Sequence, residues 1–158
     1  MAVDVFLKLG DIAGESQDSK HAREIEVLAW SWGMSNTGSP SAGGGGGAGK
    51  VNFNDLTLTH TLDKASPLLM KACATGQHIK EGTLAARKAG RGQQEYLIIK
   101  MSDILVTSVQ SSGSGEQPTE SVSLQFGKVD LQYTPQKADV SLDEGVRFTY
   151  DLKTNRVG

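Results

Sequence analysis

At 158 residues, with 37% hydrophobic and 22% charged side chains, the chain has the size and composition of one globular domain, residues 1–158. A net charge of −2 excludes a duplex nucleic-acid binder that works through a strongly basic face. A single cysteine, Cys73, excludes an internal disulfide framework and any CxxC redox or metal pair.

The first segment alternates Val3, Val5, Leu7 and Leu9 with Asp4, Phe6 and Lys8, which predicts a strand. Asp4 and Lys8 also break what would otherwise be a leader-peptide core, and no later segment approaches the ~20 apolar residues of a membrane span. The chain is therefore expected to fold in the cytosol and to lack a cleaved leader. Gly10-Asp-Ile-Ala-Gly-Glu-Ser16 reads as a turn. Its Asp11 and Glu15 are close enough for acid–base work, but turn formation accounts for both.

A second strand is predicted through Ile25, Val27 and Ala29 to Trp30 and Trp32. The two indoles lie on one face and suit either a sugar platform or packing in a core or subunit interface. From Gly33 to Lys50 the chain loses periodicity for 18 residues, and structureless loops of that length usually have a function. As a Gly-rich coil it would reach about 23 Å, far enough to touch a neighbour. Gly44 to Lys50 nearly matches a phosphate-binding loop, but Val51 stands where that motif needs Ser or Thr for Mg²⁺. The following residues alternate like a strand, so no helix N-terminus is offered to a phosphate.

Leu56, Leu58, His60 and Leu62 alternate with threonines and predict a third strand, with His60 as a structural histidine on the apolar side. Ser66-Pro67, the run to Thr75, and Gly76 carry the start and stop signals of one short helix. Ser66 is its expected N-cap, and Leu68, Leu69, Ala72 and Cys73 its apolar stripe. Arg87 to Gly92 reads as a hairpin tip between strands Ile79–Ala86 and Tyr96–Met101. Ile104–Val109 is also strand-like. A change of phase across Gly127, from Val122, Leu124 and Phe126 to Val129, Leu131 and Tyr133, predicts a bulge or bend. Val146–Tyr150 closes the series. An all-β sandwich or barrel with a single helix follows.

Catalytic constellations are missing from this pattern. His21, His60 and His78 lack metal-ligand spacing, neither HExxH nor GxSxG occurs, and Cys73 falls on the helix's apolar stripe. No enzyme activity, cofactor or metal is predicted. Charge is unevenly spread: Lys64–Arg91 holds six basic residues against Glu81, and Gln110–Gly145 holds six acids against Lys128 and Lys137. Two solvated faces, or patches that meet between copies, both fit.

Taken in order, several segments resemble the Hcp family, the tube protein of type VI secretion. They are Gly10–Ser16, Ile25-Glu-Val-Leu-Ala-Trp-Ser-Trp-Gly33, the Gly-rich loop into Lys50-Val51, His60-Thr-Leu-Asp-Lys-Ala-Ser-Pro67, Ala72–Gly76, Glu95–Ile99, Tyr133–Lys137 and Tyr150-Asp151. They span essentially the whole chain. The resemblance implies a barrel of two antiparallel β-sheets with one short flanking helix, assembled as a homohexameric ring. Rings would stack into a hollow tube with a spike protein at its tip, a contractile sheath around it and effector proteins in its lumen. Such a protein assembles in the cytoplasm and is released without a signal peptide or membrane insertion.

On this reading Ser39, Pro40, Gly44 and Gly46 of the loop, with Arg87, Gly90 and Arg91 of the hairpin tip, are expected to meet the adjoining ring. Trp30, Trp32, Lys64, Glu120 and Asp130 are expected at the subunit interface. Two rival readings remain. One is a carrier or chaperone acting as discrete secreted hexamers; the other is an NTPase or hydrolase resting on Gly44–Lys50 alone.

Overall fold

Period-two alternation survives intact where both neighbours of a strand are present. Leu56, Leu58 and His60 are fully buried, and the threonines between them turn to the other side. A computed structural model of the chain describes residues 3–38, 51–88, 94–135 and 145–158. Its strands are β1 (Val3–Leu9), β2 (Ile25–Glu26), β3 (Ala29–Ser31), β4 (Met34–Asn36), β5 (Val51–Phe53) and β6 (Leu56–Thr61). After helix α1 (Ser66–Thr75) come β7 (His78–Lys88), β8 (Glu95–Ser112), β9 (Thr119–Tyr133), β10 (Val146–Asp151) and β11 (Arg156–Val157).

Every pairing is antiparallel. One nine-stranded sheet runs β11-β10-β9-β8-β7-β1-β2, with β6 joined to β9 and β3 joined to β6, while β4 and β5 form a separate pair. The strand predicted from Ile25 to Trp32 is divided. Its first part pairs with β1 and its second with β6. At the crossing, the Val27 N–H donates to Val5 O at 2.9 Å and the Leu28 N–H to Thr59 O at 2.8 Å. The sheets are therefore not closed into the expected barrel. Covalent chain at Val27–Leu28, rather than a ladder between two strands, links the β1 side to the β6 side.

The predicted phase change is present and wider than the sequence indicated. Buried positions switch from Phe126 to Val129 in β9, from Met101 to Ile104 in β8, and from Ile79 to Leu84 in β7. The register is unshifted there: Ile104 pairs with Phe126 and Ser102 with Lys128, while Ile79 pairs with Ile104 and Glu81 with Ser102. Lys80, Asp103 and Gly127 thus mark a crease across three strands, and the feature is a bend. At Asp103 the backbone adopts φ 55°, which turns the following side chains to the opposite face. The true register shifts lie elsewhere, at Ala86/Arg87 and Val106/Ser108.

Between the folded walls sits one core, built from residues such as Leu9, Leu56, Leu84, Ile99, Ile104 and Leu124, all with no accessible surface. Each such side chain contributes about 1.5–3 kcal/mol by leaving water. Helix α1 packs on β8 through Leu69 and Ala72. It begins one residue away from the expected cap: Ala65 is the N-cap and makes no side-chain hydrogen bond. Ser66 is instead the first helical residue, and its Oγ accepts from the Asp63 N–H at 3.1 Å. Asp63 Oδ1 accepts in return from the Ala65 N–H at 2.8 Å, so the turn before the helix does the work of a cap. Gly76 ends the helix at φ 66°, a conformation that favours glycine. The stripe is narrower than expected: Cys73 is half-buried and Leu68 is 44% exposed.

Candidate functional site

One face of the sheet is lined with hydroxyls. Across β3, β6, β9 and β8 the register aligns Ser31 with Thr57, Ser123 and Ser108. A second row aligns Ala29, Thr59, Ser121 and Gln110, and a third aligns Thr61, Thr119 and Ser112. Alternation puts all of them opposite Leu58, Val122 and Leu124 of the core. Thr57 Oγ1 and Ser123 Oγ are 3.3 Å apart. These eleven positions hold no charge, although charged side chains make up 22% of the chain. Such a surface can exchange hydrogen bonds with water or passing peptide groups at small net gain.

Behind the hydroxyls lies a buried hydrogen-bonded pair. His60 and Glu120 are both 0% exposed, with His60 Nε2 at 2.9 Å from Glu120 Oε1. Asp63 Oδ2 stands 3.7 Å from His60 Nδ1, and burial pushes the Asp63 carboxyl above its ordinary value. The expectation of a structural histidine is met here. Its partner had been placed at the subunit interface, and this is a correction: Glu120 has no surface with which to meet another chain.

Arg87 requires a similar correction. It is 2% exposed because the 11–24 segment folds over the outer face of β1 and β7. Its guanidinium donates through Nη1 to Asp18 Oδ2 at 3.0 Å, pairs with Asp18 again through Nη2, and lies 5.0 Å from the Phe6 ring centroid. Phe6 also stacks on His21 at 4.4 Å. His21 nitrogens approach Glu24 at 2.9 Å and Glu95 at 2.7 Å. Arg87 therefore anchors its own subunit's loop. Its hydrogen bonds hold the Asp18 carboxyl down to about 2, against an ordinary 3.8. A depressed carboxyl stabilises the fold at neutral pH and loses that contribution as pH falls from about 4 through about 2. Asp18→Asn is expected to flatten this acid limb in urea titrations between those pH values. An unchanged limb would refute the anchor.

The other expected interface residues are dispersed. Trp32 packs within its own subunit against Phe53 and Phe126, with ring centroids at 6.1 and 5.8 Å. Trp30 is half-buried against the core. Asp130 pairs with Arg147 at 3.3 Å within the chain. Lys64 is exposed, and its backbone N–H donates to Glu15 Oε2 at 2.8 Å. Ser39, Pro40, Gly44, Gly46, Gly90 and Arg91 lie outside the described residues, as does the Gly44–Lys50 motif.

Two hollows of unlike charge flank the Gly10–Ser16 turn. One, of about 640 Å³, is bordered by Lys8, Lys71, Lys80 and Leu68, and also by Asp11 and Glu81, so that lysines outnumber acids. The other, of about 280 Å³, is bordered by Glu15, Glu26 and Asp63 with Leu28 and Leu62. The basic half of the predicted charge asymmetry thus persists in part. The exposed acids of the second hollow come from outside the stretch where they were expected. Among the described residues, no group of His, Cys, Asp and Glu could hold a metal ion. Nor is any described helix long and apolar enough to cross a membrane.

A mainly β subunit with one short helix, charged hollows and an uncharged sheet face belongs with proteins that act through their surfaces. A family described as the type VI secretion system effector Hcp matches residues 6–133, and the chain belongs to this Hcp family of type VI secretion tube proteins. It is 55% identical to Protein hcp1 of Pseudomonas aeruginosa, with 98% of each chain covered. Among solved structures, it is similar to Hcp1 from Salmonella typhimurium, at 37% identity, 100% coverage of both chains and a TM-score of 0.83. A type VI secretion system effector from Yersinia pestis is 35% identical, covers 94% of this chain and 99% of its own, and has a TM-score of 0.78.

Proposed function

We propose that the chain is the subunit of a six-membered ring, that rings stack into the hollow tube, and that the hydroxyl face lines the bore. A spike protein tips the tube, a contractile sheath surrounds it, and effector proteins travel inside. The observation that carries this reading is the absence of charge at the eleven aligned positions of β3, β6, β9 and β8. Walls of one charge sign would hold cargo of the other sign by several kT and repel its opposite. Serine and threonine give a wettable wall with neither effect. The narrow spread of side-chain lengths on this face also keeps the wall smooth.

Negative-stain images of the purified chain are expected to show six-fold annuli. Thr59→Arg with Ser121→Arg should leave those annuli intact while a co-expressed effector no longer co-purifies. Effector retention unchanged by both arginines would remove the hydroxyl face from the bore. Images without annuli would overturn the ring itself.

A further inference from the structure

Leu28 is 63% exposed at the margin of the acidic hollow, beside Glu26, whose carboxylate is also exposed. An apolar side chain set among charged ones has the anatomy of a small protein interface. The same chain carries a complementary surface. On α1, Leu68 and Lys71 stand three residues apart and so share one face. Leu68 is 44% exposed, and Lys71 is exposed beside it on the border of the basic hollow. Leucine with carboxylates on one side and leucine with Lys71 beside it on the other form patches of unlike charge. That is what head-to-tail association of identical chains requires.

We infer that the acidic hollow at Glu26 and Leu28 receives the Leu68–Lys71 face of the helix from a second copy of this chain. This rests on the ring reading and specifies which surfaces close the ring. Helix α1 is ten residues long, about 15 Å. Leu62 and Asp63, just before the helix, border the acidic hollow, and Leu68 and Lys71 within it border the basic one. The two patches are therefore offset along the helix within one subunit. Of the two hollows Lys71 borders the basic one and Glu26 the acidic one, and a neighbour can bring the two together. Electrostatic matching of this kind also fixes register, because a shifted copy would place acids against acids.

Sedimentation velocity on the full chain tests the pairing through a charge swap. Glu26→Lys alone and Lys71→Glu alone should each raise the concentration at which rings dissociate by at least about tenfold. The chain carrying both reversals should return to within about threefold of the native value. A swapped chain that assembles no better than either single reversal overturns the pairing. So do single reversals that sediment like the native chain; in both cases the ring itself stands. A native chain that sediments as a single subunit at high concentration removes the ring reading and this inference together. Should a reversal unfold the subunit, Glu26→Ala and Lys71→Ala read the same contact. Their effects must be non-additive if the residues meet, and additivity within about twofold overturns it.

Discussion

Glu120→Ala should lower the unfolding free energy of the subunit by about 1–3 kcal/mol, the usual cost of leaving a buried polar group without its hydrogen-bond partner. Both side chains have no accessible surface, so His60 would keep its Nε2 beside a void with no water to replace the carboxylate. The loss should appear as a fall in melting temperature of roughly 3–10 °C for a chain of this size. The measurement belongs at low protein concentration, since any self-association would add its own stabilisation. The double replacement His60→Leu with Glu120→Met should recover most of the loss, because it removes both desolvated groups and keeps the volume. An alanine variant that melts within 2 °C of the native subunit, on the scale of about 2–4 °C per kcal/mol, would show that the pair has little energetic role.

Gly14→Ala should detach the 11–24 segment from the body of the sheet. A Cβ at this position would stand 2.6 Å from Glu24 O and 2.8 Å from the Ile25 Cα, and backbone cannot yield as a side-chain tip can. The backbone hydrogen bonds there, Gly14 N–H to Arg23 O at 2.8 Å and Ser16 N–H to Glu24 O at 3.0 Å, would have to lengthen or break. The expected loss is about 1–3 kcal/mol. Limited proteolysis should read it more sharply than melting does, with cleavage appearing between Glu15 and Glu24 while the core strands stay intact. Native resistance to cleavage in the variant would mean that the segment has room to shift.

The gains and losses of reading this fold from sequence have separate causes. Alternation at Leu56–Leu62 and the Pro67 and Gly76 signals are local, so β6 and the end of α1 could be read directly. The side of the strand on which His60 lies was equally local. Its partner was not, because Glu120 is 60 residues away and only the β6–β9 register brings the two together. Arg87 was misplaced for a similar reason. Its neighbours Lys88 to Gly92 read as an exposed tip, and the covering loop with Asp18 lies 69 residues earlier. Helix capping failed by one residue because Ser66 Oγ accepts from the Asp63 N–H while Asp63 Oδ1 accepts from the Ala65 N–H. The predicted strand at Ile25–Trp32 failed for a topological reason. Alternation reports which side of a strand is buried and says nothing about a change of neighbour midway.

For the hydroxyl face the signal was present but distributed. Thr57, Thr59 and Thr61 are visible as alternating threonines, and Ser121 and Ser123 as alternating serines, yet neither set identifies a wall until their registers are joined. Net charge over a long window misled in the other direction. Glu120 and Asp130 were counted toward an acidic surface, but one is buried and the other paired. Glu15, read in sequence beside Asp11, converges in the fold with Glu26 and Asp63 instead, while Asp11 borders the other hollow.

The crease at Lys80, Asp103 and Gly127 has a mechanical consequence. Strands β8 and β9, of 18 and 15 residues, run roughly 60 and 50 Å if fully extended and pass through it without interruption. A thrust delivered to one wall of the subunit therefore reaches the other along continuous peptide backbone. Rows of hydrogen bonds can be sheared one after another, whereas these spars bend as a unit, which suits a part that is driven forward under load.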